Sequence, residues 1–329
     1  MPLLVPPDPA ASARAEARVA VILGRPERFE EVYSKPVRGG VVRVFRAEIG
    51  GEALAIKSDP RPEIVTEQYR ALERLRAVTG DCVVPRGLCP EGRFLATGWI
   101  DAPLLSDRMS DLSGRAARLT RAGRWLRRLH HRTRRGRGGD LWQRRGRLLP
   151  PDPCAGRDRL EATLHARHGG LARAQAPVAM LHSDFQAHNL FDLGERVVAF
   201  DRHSDREGHV YFDTARFLTG LSLRRRLAEA GEQPWPGTEA GDRRSFLAAY
   251  GPIPARDRAL SVFVEDLVLA RLWALFAARA HLGARFEARR AVLAGLLAER
   301  GLGEASGHAS GGAPERLLRG PLGLGRRWG

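Results

Sequence analysis

The stretch "LHSDFQAHNLF", Leu181 to Phe191, sets His182, Asp184 and Asn189 directly after an apolar run. A second apolar run, "VVAFD", then ends in Asp201, seventeen positions beyond Asp184. Polar clusters between short apolar runs read as strand, turn and strand. A turn capped by Asp and Asn accounts for each residue taken singly. It does not account for the ordered set, in which a second aspartate closes the neighbouring strand.

The rest of the chain supplies the frame. Residues 1–12 are a Pro/Ala-rich lead, a short helix is expected over Ala13 to Leu23, and 1–24 read as an N-terminal extension. Three strand-like runs follow, "FEEVY", "VVRVFRAEI" and "EALAIKS", separated by Gly39-Gly40 and Gly50-Gly51. Glycine pairs at such places signal hairpins, so an antiparallel meander is predicted. "PEIVTEQYRALERLRAV" carries Ile64, Val65, Tyr69, Leu72 and Leu75 at helical spacing, with Pro62 at its start. Strands are expected at "CVVP" and "RFLATGWI", which completes a small α+β lobe over residues 25–100.

Beyond it the pattern is helical. "GRAARLTRAGRWLRRLHHRT" is one helix, the Arg/Gly-rich residues 132–147 read as a loop, and Tyr211 to Glu299 are mostly helical. Residues 301–329 read as a disordered tail. Its "GLGEASG" follows no strand and is not a dinucleotide loop. No internal repeat is visible.

The opening set matches what phosphoryl transfer from ATP requires: a carboxylate that orients and deprotonates a hydroxyl, an amide oxygen and a second carboxylate on Mg²⁺, and a cation for the phosphates. Lys57 ends the third strand, where a kinase places its phosphate-pairing lysine. It is one of only two lysines, with Lys35, among 54 basic residues. A compact ammonium suits that role better than a planar guanidinium.

On these residues the chain resembles the aminoglycoside phosphotransferase and choline kinase group, over roughly Tyr33 to Asp213. The resemblance implies a two-lobed protein-kinase-like fold: the small antiparallel-sheet lobe, a hinge at 101–103 and a larger, mainly helical lobe over 104–300. It implies Asp184 as catalytic base, Asn189 and Asp201 as Mg²⁺ ligands, and Lys57 on the ATP phosphates. His182 and Asp213 would support the loop, the Gly39-Gly40 hairpin would lie over the nucleotide, and the "GWIDAPLL" backbone, at Trp99 and Ile100, would hold adenine. Glu67, or else Glu63, would partner Lys57. Two departures stand out. Ser183 replaces the usual glycine before Asp184, and Arg202-His203 replace the common aromatic and acidic residues after Asp201, which bears on a second metal or on the substrate mouth.

A protein kinase closes an activation segment with Ala-Pro-Glu. Here Asp201 and Asp213 are twelve apart and no such motif follows, so the expected acceptor is a small hydroxyl compound such as an amino sugar, sugar or amino alcohol. Asp266, in a late apolar stripe, either holds a cationic amine of that acceptor or lies with Glu265 on the helix's wet edge. The net charge of +16 favours anionic partners. No aromatic-interleaved strand or helix-turn-helix supports nucleic acid. The three cysteines, Cys82, Cys89 and Cys154, form no metal or disulfide spacing, which suits a cytoplasmic protein. No segment is apolar enough to span a membrane. The alternative is a catalytically silent kinase-like binding protein that uses its basic surface.

Overall fold

Gly50 and Gly51 both hold positive φ, 57° and 77°. That is the two-residue turn that matches the twist of antiparallel strands. It joins β2 (Gly40–Ile49) to β3 (Glu52–Ser58), and β1 (Arg28–Val37) pairs with the far side of β2. The computed structural model describes residues 5–303 apart from 38, 90, 92, 139–147, 151–153, 172, 203–205, 232–234 and 280–282. The predicted disordered tail from 304 onward lies outside the described residues.

β4 (Pro85–Cys89) and β5 (Phe94–Gly98) complete a five-stranded antiparallel sheet of order β1-β2-β3-β5-β4. The predicted strand at "CVVP" is displaced: pairing in the sheet starts at Pro85, while Cys82 bridges Ala199 and the Val83 amide donates to the Ala199 carbonyl at 3.0 Å. That segment therefore ties the sheet lobe to the strand that ends before Asp201. α1 (Pro9–Leu23) starts four residues earlier than predicted, because Asp8 caps the amides of Ala10 and Ala11 and Pro9 fits the first turn. α1 packs on the sheet, with Val19 buried among Phe45, Ile56 and Phe94.

α2 (Pro62–Thr79) lies between the sheet and the second lobe. Its buried residues Val65, Leu72 and Leu75 share one core with Trp125, Leu126, Phe185 and Phe217. This second lobe contains α3 (Arg115–Arg132), β6 (Gly136–Gly138), α4 (Arg157–His168), β7 (Ala176–Met180), the hairpin β8 (Leu190–Asp192)–β9 (Val197–Ala199), β10 (Glu207–His209) and α5 (Tyr211–Ala230). α6 (Glu239–Tyr250), α7 (Arg258–Ala277) and α8 (Ala284–Glu299) follow. Gly123 lets α3 approach α6 closely, since a Cβ there would strike the Phe246 carbonyl. The predicted loop 132–147 is only partly a loop: Gly136–Gly138 pair with β7, and 139–147 lie outside the described residues. No described helix is long and apolar enough to cross a membrane.

Candidate active site

The loop between β7 and β8 is shaped from beneath. Asp213, buried in the first turn of α5, accepts the backbone amides of His182 at 2.7 Å and Ser183 at 3.0 Å. Its Oδ2 also lies 3.2 Å from Nε2 of His130, at the end of α3. His182 is fully buried, edge-on to Trp125 and Phe185. These contacts hold a reversal in which Ser183 has φ of 73°, a left-handed conformation that glycine adopts without a Cβ penalty.

Two strand ends and the sheet lobe then converge. Asn189 donates from Nδ2 to both Oδ2 and the main-chain oxygen of Asp184, each at 2.9 Å, which leaves its amide oxygen as the acceptor. Asp201, also at positive φ, follows β9 and forms an ion pair with Lys57 from β3. The Phe200 amide donates to the Asn189 carbonyl at 3.1 Å, so the Asp184–Asn189 pair and the Lys57–Asp201 pair lie side by side in the cleft where the lobes meet. Asn189 and Asp201 present hard oxygen donors of the kind Mg²⁺ takes, with phosphate and water expected to fill the rest of its shell. No cluster of three or more His, Cys, Asp and Glu side chains capable of holding a metal occurs among the described residues.

Other predicted residues lie elsewhere. Glu67 does not partner Lys57: both it and Glu63 are on the exposed face of α2. The α2 side chain that reaches the ion pair is the buried Gln68, whose Nε2 is 3.4 Å from Asp201 Oδ1. Trp99 donates its own amide to the Ala53 carbonyl at 2.9 Å, as a continuation of the sheet. That amide is therefore engaged, and Ile100 follows it just ahead of residues 101–103, where the hinge is expected. Gly40, at the β1–β2 turn, lies against Pro60.

Arg202 turns inward, not toward a substrate mouth. It is fully buried and donates to the carbonyls of Leu181 and Ala71, both at 2.8 Å, so it pins the loop to α2. Burial pushes its pKa down to about 10. His203 lies outside the described residues. Asp266 is neither on a wet edge nor in the cleft. It is buried with Glu265, and its partners are His168 at 2.9 Å and Arg300 at 3.0 Å. Several arginines of the basic run are likewise held within the fold: Arg128 by Asp81, Arg132 by the Val78 carbonyl, and Arg137 by Asp257.

Arg216 was not anticipated from the sequence. It donates Nε and Nη2 to Asp184 Oδ1 at 3.0 and 2.9 Å, beside Gln186 Nε2 at 2.6 Å. Its signal was available: Arg216 stands three residues after Asp213, on the same face of one helix.

No protein-family model and no curated protein matches the sequence. Solved structures do match in shape. A choline/ethanolamine kinase family protein from Mesorhizobium loti aligns over 87% of this chain and 95% of its own, with TM-score 0.60 and 18% identity. Amicoumacin kinase hAmiN, in complex with AMP-PNP, Ca²⁺ and Ami, aligns over 88% and 93%, with TM-score 0.61 and 12% identity. A glucosamine kinase aligns over 90% and 84%, with TM-score 0.54 and 18% identity. The chain therefore has the two-lobed, protein-kinase-like α+β fold that these small-molecule kinases share.

Proposed function

We propose that the protein is an ATP- and Mg²⁺-dependent phosphotransferase that moves the γ-phosphate to a hydroxyl of a small molecule. One observation carries the reading. Asp184, Asn189 and Asp201 meet in one cleft, and Lys57 crosses from the other lobe to reach Asp201. Structural likeness to kinases that act on small molecules supports the same class.

In this reading the nucleotide lies between the lobes, with adenine at the hinge from Ile100 onward and the Gly39-Gly40 turn near the phosphates. Asn189 and Asp201 hold Mg²⁺, which neutralises charge on the transferring phosphoryl group. Lys57, the cation nearest Asp201, pairs with the phosphates. Asp184 orients the acceptor hydroxyl and takes its proton. Gln186, Arg216 and Asn189 fix the Asp184 carboxylate, and Asp213 and His182 fix the loop that carries it. Gln68 and Arg202 link that loop and Asp201 to α2. Arg216, bonded to Oδ1 through two nitrogens, fixes the orientation of the Asp184 carboxylate.

The test is ADP release in the presence of Mg²⁺ and a panel of hydroxyl compounds. Wild type is expected to turn over with at least one acceptor, and Asp184→Asn to lose ~10³–10⁴-fold in kcat. Undiminished turnover in the variant would remove Asp184 from the reaction.

A further inference from the structure

One face of α5 runs past the catalytic loop. Arg216, Gly220 and Arg224 recur at intervals of four, so they stack along one stripe of the helix. Arg216 holds Asp184. At Gly220 an ideal Cβ would lie 3.1 Å from Gln186 Oε1, so the helix and the loop are nearly in contact there. Arg224 continues the stripe one turn beyond that contact. The stripe therefore borders the mouth through which an acceptor must present its hydroxyl to Asp184.

Arg224 differs from its neighbours on the helix. Arg225 is bonded to Asp242 and Arg226 to Glu299. Arg224 is half-buried and has no hydrogen-bond or ion-pair partner among the described residues. The acid whose charge it feels, Asp107, is exposed and accepts from Ser106 Oγ at 3.0 Å. Burial lowers the Arg224 pKa from its ordinary value, and the charge of Asp107 offsets this only in part. Buried charges in folded proteins are ordinarily paired. A guanidinium left unpaired at the rim of a site is compensated when an anion arrives, and its planar fork fits carboxylate and phosphate groups.

We infer that the acceptor is an anionic hydroxyl compound, a sugar-sized molecule whose carboxylate or phosphate group seats on Arg224 while its hydroxyl faces Asp184. The inference rests on the phosphotransferase reading for the hydroxyl but not for the anion. Arg216 and Arg224 lie eight residues apart, about 12 Å along the helix axis, and long side chains shorten that gap to the reach of a monosaccharide derivative. The net charge of +16 draws the same class of ligand toward the protein. Cationic aminoglycosides and choline would meet two guanidinium groups at this mouth.

The test is a titration of the full chain, saturated with AMP-PNP and Mg²⁺, with glucose, glucosamine, glucuronate and glucose 6-phosphate. Glucuronate or glucose 6-phosphate is expected to bind at least ~10-fold more tightly than glucose, the scale of one charge-assisted contact, and which of the two binds tells carboxylate from phosphate. Arg224→Gln should remove that preference and leave the nucleotide's own affinity unchanged. Its melting temperature without ligand should equal or exceed that of wild type, since no bonded partner among the described residues is lost. Arg226→Gln, on the same helix, should keep the preference. An anion preference that persists in Arg224→Gln, anions no better than glucose, or a preference for glucosamine would each overturn the inference. Failure of AMP-PNP itself to bind would count against the phosphotransferase reading instead, and the same titration without nucleotide would still decide the role of Arg224.

Discussion

The protein holds two groups of carboxylates and arginines, one buried and one half-buried, and they are built differently. In the distal group, on α7, each carboxylate oxygen is matched. Asp266 takes Arg300 and His168, and Glu265 takes Arg243 at 2.5 and 2.9 Å and Arg300 at 3.2 Å. In the cleft, Asp184 takes Arg216 and Gln186 on Oδ1 and Asn189 on Oδ2, and Asp201 takes Lys57 and Gln68. Both carboxylates nevertheless stay partly open to solvent, 14% and 21% exposed, and the cations around them come from two elements, β3 and α5. A closed network has settled its desolvation cost internally and serves the fold. A network that is paired but open to solvent can exchange a partner for a ligand from outside. The same residue types therefore occur sealed in one place and reachable in the other, and access to solvent, not completeness of pairing, tells them apart.

Several substitutions sharpen or break this contrast. Asp184→Asn should cost ~10³–10⁴-fold in turnover with little change in melting temperature. A variant that unfolds instead would put Asp184 on the structural side. Asp266→Ala should do the reverse, costing ~3–5 kcal/mol in denaturant unfolding because Arg300 and His168 lose their partner in a buried site. Turnover per folded molecule should stay at the wild-type level, and a specific loss would mean that the distal group reaches the acceptor.

A smaller effect concerns pH. Burial, aided by the charge of Arg224, pushes His188 down to about 4, whereas the unfolded chain titrates near ~6.5. Between those values the unfolded state binds the extra proton. Stability therefore rises with pH across this window, and acidification from the upper to the lower value removes up to ~3 kcal/mol. His188→Gln should flatten that acid limb in a pH series of unfolding curves. An unchanged limb would show that His188 is not sequestered. The smallest effect is expected at Ser183→Gly, which relieves a left-handed residue and should raise stability by ~1 kcal/mol, read as a shift of the urea midpoint.

Much of the candidate site was legible because three of the four residues proposed for phosphoryl transfer are close in sequence. Asp184, Asn189 and Asp201 lie on one strand–loop–hairpin unit, and Lys57 ends a strand with clear alternation. What the sequence concealed was helical phase and depth. Glu67 and Gln68 are adjacent, about 100° apart around α2, and the charge of Glu67 made it the better guess although Gln68 is the one that faces inward. Arg202 looked like a mouth residue because arginine is ordinarily exposed. Only the fold reveals two carbonyls waiting for it. Asp266 misled for the same reason, since its partners, His168 and Arg300, are remote in the chain. The strand at "CVVP" was misplaced because its apolar residues serve a bridge to Ala199, not the sheet.

The most direct test of the central claim is thermal stabilisation by ATP with and without Mg²⁺, in wild type and in Asp201→Ala. A ligand at a hundred times its dissociation constant adds ~2.7 kcal/mol to apparent stability. The cleft described here predicts a Mg²⁺-dependent rise in melting temperature for wild type that Asp201→Ala loses. No rise at millimolar ATP, or an equal rise in the variant, would contradict a nucleotide site built on Lys57, Asn189 and Asp201.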